Sequence, residues 1–122
     1  VKEARYHVRH AAQWVITLGD GTDESHTRVQ AAVNELWRYT GEMFAGDSID
    51  RDAAAASVGV DMSTLEDAWR EQVGEVFIRA RLTVPDVRYM QRGGRTGKHT
   101  EHLGHMLSEM QIVARSHPGA TW

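Results

Sequence analysis

The sequence predicts an all-α protein built as a helical bundle, and three observations carry that expectation. Apolar residues recur at alternating spacings of three and four through several long segments; cap and turn residues punctuate those segments; and no stretch alternates apolar and polar residues as a half-buried strand would. No internal repeat or low-complexity tract competes with the helices. At 122 residues, 41% hydrophobic and 25% charged, the chain has ordinary globular composition and the length of one small domain or part of one. A formal charge of −3 supplies no global positive field for nucleic acid, and the apolar runs are too short to span a bilayer. Without cysteine there is no disulfide framework, and no secretory signal opens the sequence, so the expected setting is the cytoplasm.

The first helix is expected over residues 1 to 18, where Val1, Ala4, Val8, Ala11, Val15 and Leu18 form one stripe with His7 and Trp14 beside it. Val1-Lys2-Glu3-Ala4-Arg5 contains no initiating Met, cap or turn residue, so the sequence is expected to begin inside a helix. Its stripe is then expected to face outward unless the missing half or another subunit covers it. Gly19-Asp20-Gly21 is expected to stop this helix through a left-handed turn, and Thr22 with Asp23 and Glu24 to start the next. That second helix should reach about Phe44, burying Val29, Ala32, Val33, Leu36, Trp37, Thr40, Met43 and Phe44. Asp47 or Ser48 caps a short helix through Ala53 to Ala56, before a break at Gly59, Asp61 and Ser63.

Ser63 and Glu66 read as a capping box for a third long helix, with Leu65, Ala68, Trp69, Val73, Val76, Phe77 and Ala80 in register until Thr83-Val84-Pro85 ends it. Residues 86 to 98 read as a flexible basic loop, with Arg88, Arg92, Arg95 and Lys98 against the single acid Asp86, and with Gly93, Gly94 and Gly97 interspersed. A last helix, His99 to Arg115, is expected to bury Leu103, Met106, Leu107, Met110 and Val113 before Pro118-Gly119 closes it. Four tryptophans, Trp14, Trp37, Trp69 and Trp122, stand out, and core packing or contact between subunits accounts for the first three.

Several groupings invite a chemical reading. Glu3, His7 and His10 share the first helix, and bundle helices carrying inward Glu and His build carboxylate-bridged iron sites. Such sites need Glu-x-x-His on each of two helices, whereas Ala4 stands three residues before His7; the alternative is a partly buried histidine hydrogen-bonded within the bundle. His99, Glu101, His102, His105 and Glu109 form the densest set of ligand types. Their order departs from His-Glu-x-x-His, leaving a generic metal site or, as the favoured reading, histidines near an interface. Gly93-Gly94-Arg95-Thr96-Gly97-Lys98-His99 superficially resembles a phosphate-binding loop, but Arg92 occupies the required glycine position and His99 the place of Ser or Thr. Arg92, Arg95 and Lys98 still suit an anionic ligand or an acidic protein surface; a solvated turn is the alternative. No cysteine, and no serine in a strained elbow, supports nucleophilic catalysis.

Lys2-Glu3-Ala4-Arg5-Tyr6-His7, Leu18-Gly19-Asp20-Gly21-Thr22, Leu36-Trp37-Arg38-Tyr39-Thr40, His99-Thr100-Glu101-His102-Leu103-Gly104, Glu109-Met110-Gln111 and the ending Pro118-Gly119-Ala120-Thr121-Trp122 together resemble the C subunits of phenylacetyl-CoA epoxidases, which are ferritin-like. The resemblance runs from first residue to last, although no single motif would suffice. Family chains are longer, so it implies that residues 1 to 122 are the C-terminal part of a single ferritin-like domain, lacking the N-terminal helices. It further implies a non-catalytic structural subunit of a multicomponent oxygenase that epoxidises the aromatic ring of phenylacetyl-CoA in phenylacetate degradation. Its partners would be the catalytic ferritin-like A subunit, further small subunits and a reductase, with the di-iron centre in the A subunit and no cofactor in this chain. In the A subunit Glu-x-x-His stands where this chain has Ala4-Arg5-Tyr6-His7, so no residue here is expected to be catalytic or to hold metal. Arg92, Arg95 and Lys98 are expected to meet the acyl-CoA or an acidic patch on the partner, and His99, His102 and His105 to lie at an interface. The rival readings are an independent metal-binding ferritin-like enzyme using His7 or the His99 to Glu109 cluster, and a helical protein-binding module.

Overall fold

The computed structural model describes residues 1–121, and among them every regular element is helical: α1 (Lys2–Gly19), α2 (Asp23–Leu36), a 3-10 segment (Trp37–Phe44), α3 (Ser48–Ala55), a short 3-10 turn (Met62–Leu65), α4 (Glu66–Arg79), α5 (Glu101–Met110) and α6 (Ile112–Ser116). Trp122, one of the four tryptophans, lies outside the described residues. The chain divides into two units, Val1–Gln91 and a second beginning at Arg92. The expected all-α bundle is the observed class.

In the first unit α1 packs on α2 and α4, and the buried core is Trp37, Phe77, Ala80 and Leu82, with Val15, Val33, Trp69 and Val73 half-buried against it. Three aromatic rings meet there, Trp37 lying 5.6 Å from Trp69 and 5.7 Å from Phe77 between centroids. The α1–α2 hairpin closes through side chains of α2. Thr22 and Ser25 form a reciprocal capping box, while the Ser25 hydroxyl also donates to the Leu18 carbonyl at 2.7 Å. His26 Nδ1 lies 2.7 Å from the Gly19 carbonyl, so the first turn of α2 satisfies the orphan carbonyls of the last turn of α1. The left-handed turn expected at Gly19-Asp20-Gly21 is not formed: Asp20 has φ −94, and neither glycine has positive φ. Gly19 is required for a different reason. A Cβ there would stand 2.6 Å from the Ala80 carbonyl oxygen and 2.8 Å from the Ala80 Cβ, so only glycine lets α1 close onto the end of α4.

Three helix boundaries differ from expectation, each for a local reason. The second helix does not run as α-helix to Phe44 but tightens at Trp37. The Thr40 hydroxyl donates to the Trp37 carbonyl at 2.8 Å, and the Arg38 carbonyl accepts from the Gln91 N–H at 2.8 Å, so a bond from outside the segment engages a carbonyl the α-ladder would use. The Ser63–Glu66 capping box is absent. Asp61 takes the cap, accepting from the Ser63 N–H at 3.0 Å and its hydroxyl at 2.7 Å, while Glu66 turns to Arg70 at 2.6 Å. The third long helix ends before Pro85, in a Schellman turn: Arg81 is left-handed with φ 57, and the Leu82 N–H donates to the Phe77 carbonyl at 2.9 Å. The two side chains this turn brings together, Phe77 and Leu82, are half of the buried core. Ser57, with φ 58, ends α3 in the same way through Val58 N–H to Ala53.

The second unit carries no buried side chain among its described residues. The last helix is not continuous from His99 to Arg115 but two pieces that break at Gln111, and Met106, Leu107, Met110 and Val113 are exposed rather than buried, with Leu103 half-buried. Helical periodicity reports which face is apolar, and burial needs a second surface as well.

Candidate partner interface

The uncovered apolar surface is the most extended feature of the first unit. One groove of about 300 Å³ runs between α1 and α4 and is lined by Val8, Ala11, Ala12 and Val15 with Trp69, Val73, Val76 and Phe77. A second of about 390 Å³ runs between α2 and α4, lined by Val29, Val33, Leu36 and Trp37. Both share the floor Val15, Trp69, Val73 and Phe77, so they are two furrows of one apolar face. The α1 stripe is therefore open, as its sequence implied: Val8 and Leu18 are exposed and Val15 is half-buried. Ala32, Leu36 and Met43, expected inside, are exposed as well.

The Glu3–His7 pair lies on α1 with 3.5 Å between the atoms and side chains 93% and 70% exposed. His7 is thus not a partly buried histidine bonded within the bundle. No second carboxylate joins the pair, and among the described residues no group of three or more histidine and carboxylate side chains converges as metal ligands would. A carboxylate-bridged iron pair draws on several carboxylates and two histidines, of which Glu3 and His7 are one of each. A feature that sequence reasoning missed lies beside it: Tyr6 stacks on His10 at 5.7 Å, and His10 meets the edge of Trp14 at 6.3 Å, an exposed aromatic ladder at spacings of four. The i, i+4 pattern is present in the sequence, but the hydrophobicity of Trp14 taken alone conceals it.

Within the basic loop, residues 93–98 are ordered by one carbonyl. The Gly93 carbonyl accepts from Thr96 N–H at 3.0 Å, the Thr96 hydroxyl at 3.1 Å and Lys98 N–H at 2.8 Å, closing a 3-10 turn between left-handed Gly93 (φ 105) and Gly97 (φ 90). A Cβ on Gly93 would lie 2.9 Å from the Lys98 Cβ, so the lysine stem packs across that glycine. Arg92, Arg95 and Lys98 are exposed on this turn. His99, just before α5, and His102 and His105 within it are likewise exposed.

An all-α chain with a broad uncovered apolar face and a cationic turn is matched in full by known sequences. The family model described as phenylacetic acid catabolic protein matches residues 1–122. The C subunit of 1,2-phenylacetyl-CoA epoxidase from Escherichia coli (strain K12) is 45% identical over 122 residues, which are 100% of this chain and 49% of that one. The chain thus spans about half the length of that curated relative. No helix of the described residues is long and apolar enough to cross a membrane. With a match over its whole length and this level of identity, the chain belongs to the phenylacetic acid catabolic protein family.

Proposed function

We propose that the chain is part of a non-catalytic structural subunit of a multicomponent oxygenase that epoxidises the ring of phenylacetyl-CoA in the cytoplasm. The observation that carries this reading is the pair of adjoining apolar grooves on Val15, Trp69, Val73 and Phe77. A face of that kind loses its hydration penalty only when another surface covers it, whether the rest of the polypeptide or another subunit. The sequence supports the same reading, because Ala4 stands three residues before His7 where Glu-x-x-His would place a carboxylate. Iron and ring chemistry then reside in a catalytic partner subunit, which this protein stabilises, and Arg92, Arg95 and Lys98 serve the acyl-CoA phosphates or an acidic patch of that partner.

The test is co-expression of the full polypeptide with the catalytic subunit, followed by iron analysis of the complex and of each component reconstituted alone. The expected result is co-purification, with iron following the catalytic subunit. About two tightly held iron ions in the present polypeptide alone, with a di-iron absorption band, would make it a metalloenzyme in its own right and overturn the reading.

A further inference from the structure

We propose that the cleft between the end of α2 and residues 87–89 binds a nucleoside phosphate, with Arg38 and Arg88 on its phosphate and Tyr89 against its base. The inference is independent of the structural-subunit reading, because it rests on side chains that reading does not use. The cleft has a volume of about 500 Å³ and is lined by Asn34, Glu35, Arg38, Val87, Arg88 and Tyr89, all within the first unit. Its two walls are distant in sequence and fastened to each other at both ends. Gln30 holds the Thr83 backbone through bonds at 2.9 and 3.0 Å, and the Gln91 N–H donates to the Arg38 carbonyl at 2.8 Å. The two arginines therefore project from backbone that is already in place, which lowers the ordering cost of binding.

Charge sets this arginine pair apart. Residues 1–91 carry a formal −5, from ten basic and fifteen acidic side chains, so an arginine there has carboxylates at hand. Arg28, Arg70 and Arg81 each pair with one, at 3.3, 2.6 and 3.5 Å. Among the described residues Arg38 and Arg88 pair with none, although Glu35 lines the same cleft. Arg38 lies over the Tyr39 ring instead, 5.2 Å from its centroid, a contact that steadies the guanidinium without neutralising it. Two planar forks brought to one cleft from two walls suit the oxygens of a phosphate. The remaining polar lining selects a nucleoside over a bare anion. Tyr89, 65% exposed, offers its ring as a platform for a base, and Asn34 offers a donor and an acceptor to a base edge. Glu35 would repel inorganic phosphate, but a carboxylate accepts from ribose hydroxyls, as it does in dinucleotide sites. An acidic protein segment is the poorer occupant, since it would meet the arginines and leave Glu35 opposed to it.

The experiment is calorimetric titration of the full polypeptide with ADP, dephospho-coenzyme A, coenzyme A and inorganic phosphate. The nucleotides are expected to bind on the order of 10-fold or more tighter than inorganic phosphate. Coenzyme A binding more tightly than ADP and dephospho-coenzyme A would make the ligand the nucleotide end of an acyl-CoA, and ADP binding as tightly as coenzyme A would make it a free nucleotide; both uphold the site. Arg38→Ala and Arg88→Ala should each weaken nucleotide binding on the order of 10-fold or more. Tyr89→Ala should cost roughly 10-fold, while Tyr89→Phe, which keeps the ring, stays near the wild type. Glu35→Ala should act with opposite sign on the two ligands, weakening the nucleotide and strengthening inorganic phosphate. All four side chains are exposed, so melting of the full polypeptide should stay unchanged in these variants. No nucleotide binding by the wild type overturns the proposal, as does inorganic phosphate binding as tightly as the nucleotides. Unchanged nucleotide affinity in the double variant Arg38→Ala, Arg88→Ala places the nucleotide elsewhere, and Glu35→Ala strengthening both ligands shows that no ribose meets Glu35; each overturns it. Loss of catalytic-subunit binding in the double variant, with no nucleotide bound by the wild type, would give the arginines to an acidic protein surface and overturn it as well.

Discussion

Residues Val1–Gln91 tie distant points of the chain together around a buried core, whereas the described residues from Arg92 onward bury no side chain. In the first unit Gln30 reads the backbone of Thr83 with both ends of its amide, accepting from the N–H at 2.9 Å and donating to the carbonyl at 3.0 Å. Gln91 reaches Arg38, and Phe77 and Leu82 bury themselves beside Trp37. In the second unit the bonds from Lys98 to Gly93 and from Ser108 to Gly104 are short in sequence, and among its described residues no side chain is buried. The first region therefore has a buried core of its own, and the described residues of the second have none. Helices of ten and five residues are short of the length at which a helix persists by itself in water, so α5 and α6 depend on what they pack against.

The largest expected effect sets the two regions against each other. Trp37→Ala removes the ring that contacts both Trp69 and Phe77 and should destabilise the protein by about 3–5 kcal/mol, close to the whole stability of a small domain. Met110→Ala, at a side chain 71% exposed, should stay within about 0.5 kcal/mol. Urea unfolding of the two variants measures both. Equal losses would mean that α5 is packed as firmly as the core and that the contrast between the regions is wrong.

The next effect tests the long-range ties. Gln30→Ala deletes two hydrogen bonds to Thr83 that span 53 residues of sequence, at a site water can reach, so a loss of about 1–2 kcal/mol is expected. Gln30→Glu keeps an acceptor for the Thr83 N–H but presents an oxygen where the Thr83 carbonyl needs a donor, and should recover at most part of it. Hydrogen exchange at the Thr83 amide reads the tie directly.

Much of the first unit is legible in the sequence because its information is local. Thr22, Asp47 and the α1, α2 and α4 registers follow from capping chemistry and apolar spacing within a few residues. The Schellman turns at Ser57 and Arg81 are not legible, since glycine is the usual signal at that position and neither residue is glycine. The Gln30–Thr83 tie is hidden because a glutamine at distance carries no pattern, and the open face of α5 because amphipathic spacing is the same whether a partner comes from this chain or another. Of the candidate site, Arg95 lies in the exposed 3-10 turn, and His102 and His105 on the helix that follows, while the ordering of that turn by the Gly93 carbonyl has no counterpart in the sequence pattern.

A smaller effect appears with acid. The Ser63 hydroxyl and then the Ser63 N–H, both donating to Asp61, hold its carboxyl below the ordinary value of 3.8, with Arg51 adding a lesser attraction. A folded-state pKa below the unfolded one contributes stability that is complete above the ordinary carboxylate range and is lost as pH falls through the folded value. Asp61→Asn removes that titration, so the acid limb of a stability-against-pH curve should be shallower in the variant than in the wild type. Identical limbs would show that the 3-10 turn before α4 contributes nothing to the linkage.

The smallest expected effect is a reversal of sign between the two regions. In the first unit the left-handed positions are held by Ser57 and Arg81, in the second by Gly93, Gly97 and Gly119. A residue with a Cβ at positive φ is strained by about 1 kcal/mol, which glycine relieves at the expense of greater freedom in the unfolded chain. Ser57→Gly should therefore stabilise slightly, by about 0.5 kcal/mol, and Arg81→Gly by less, because it also deletes the exposed pair with Asp20 at 3.5 Å. Gly97→Ala should do the opposite. A Cβ there meets nothing within 4 Å, so its cost is pure backbone strain, and the turn has no buried side chain to hold it in place against that strain. The readout is exchange of the Lys98 amide, which donates to Gly93 at 2.8 Å: it should quicken several-fold in Gly97→Ala, by an amount that matches about 1 kcal/mol of lost turn stability. Unchanged exchange would mean that the cationic turn is held by more than its own backbone.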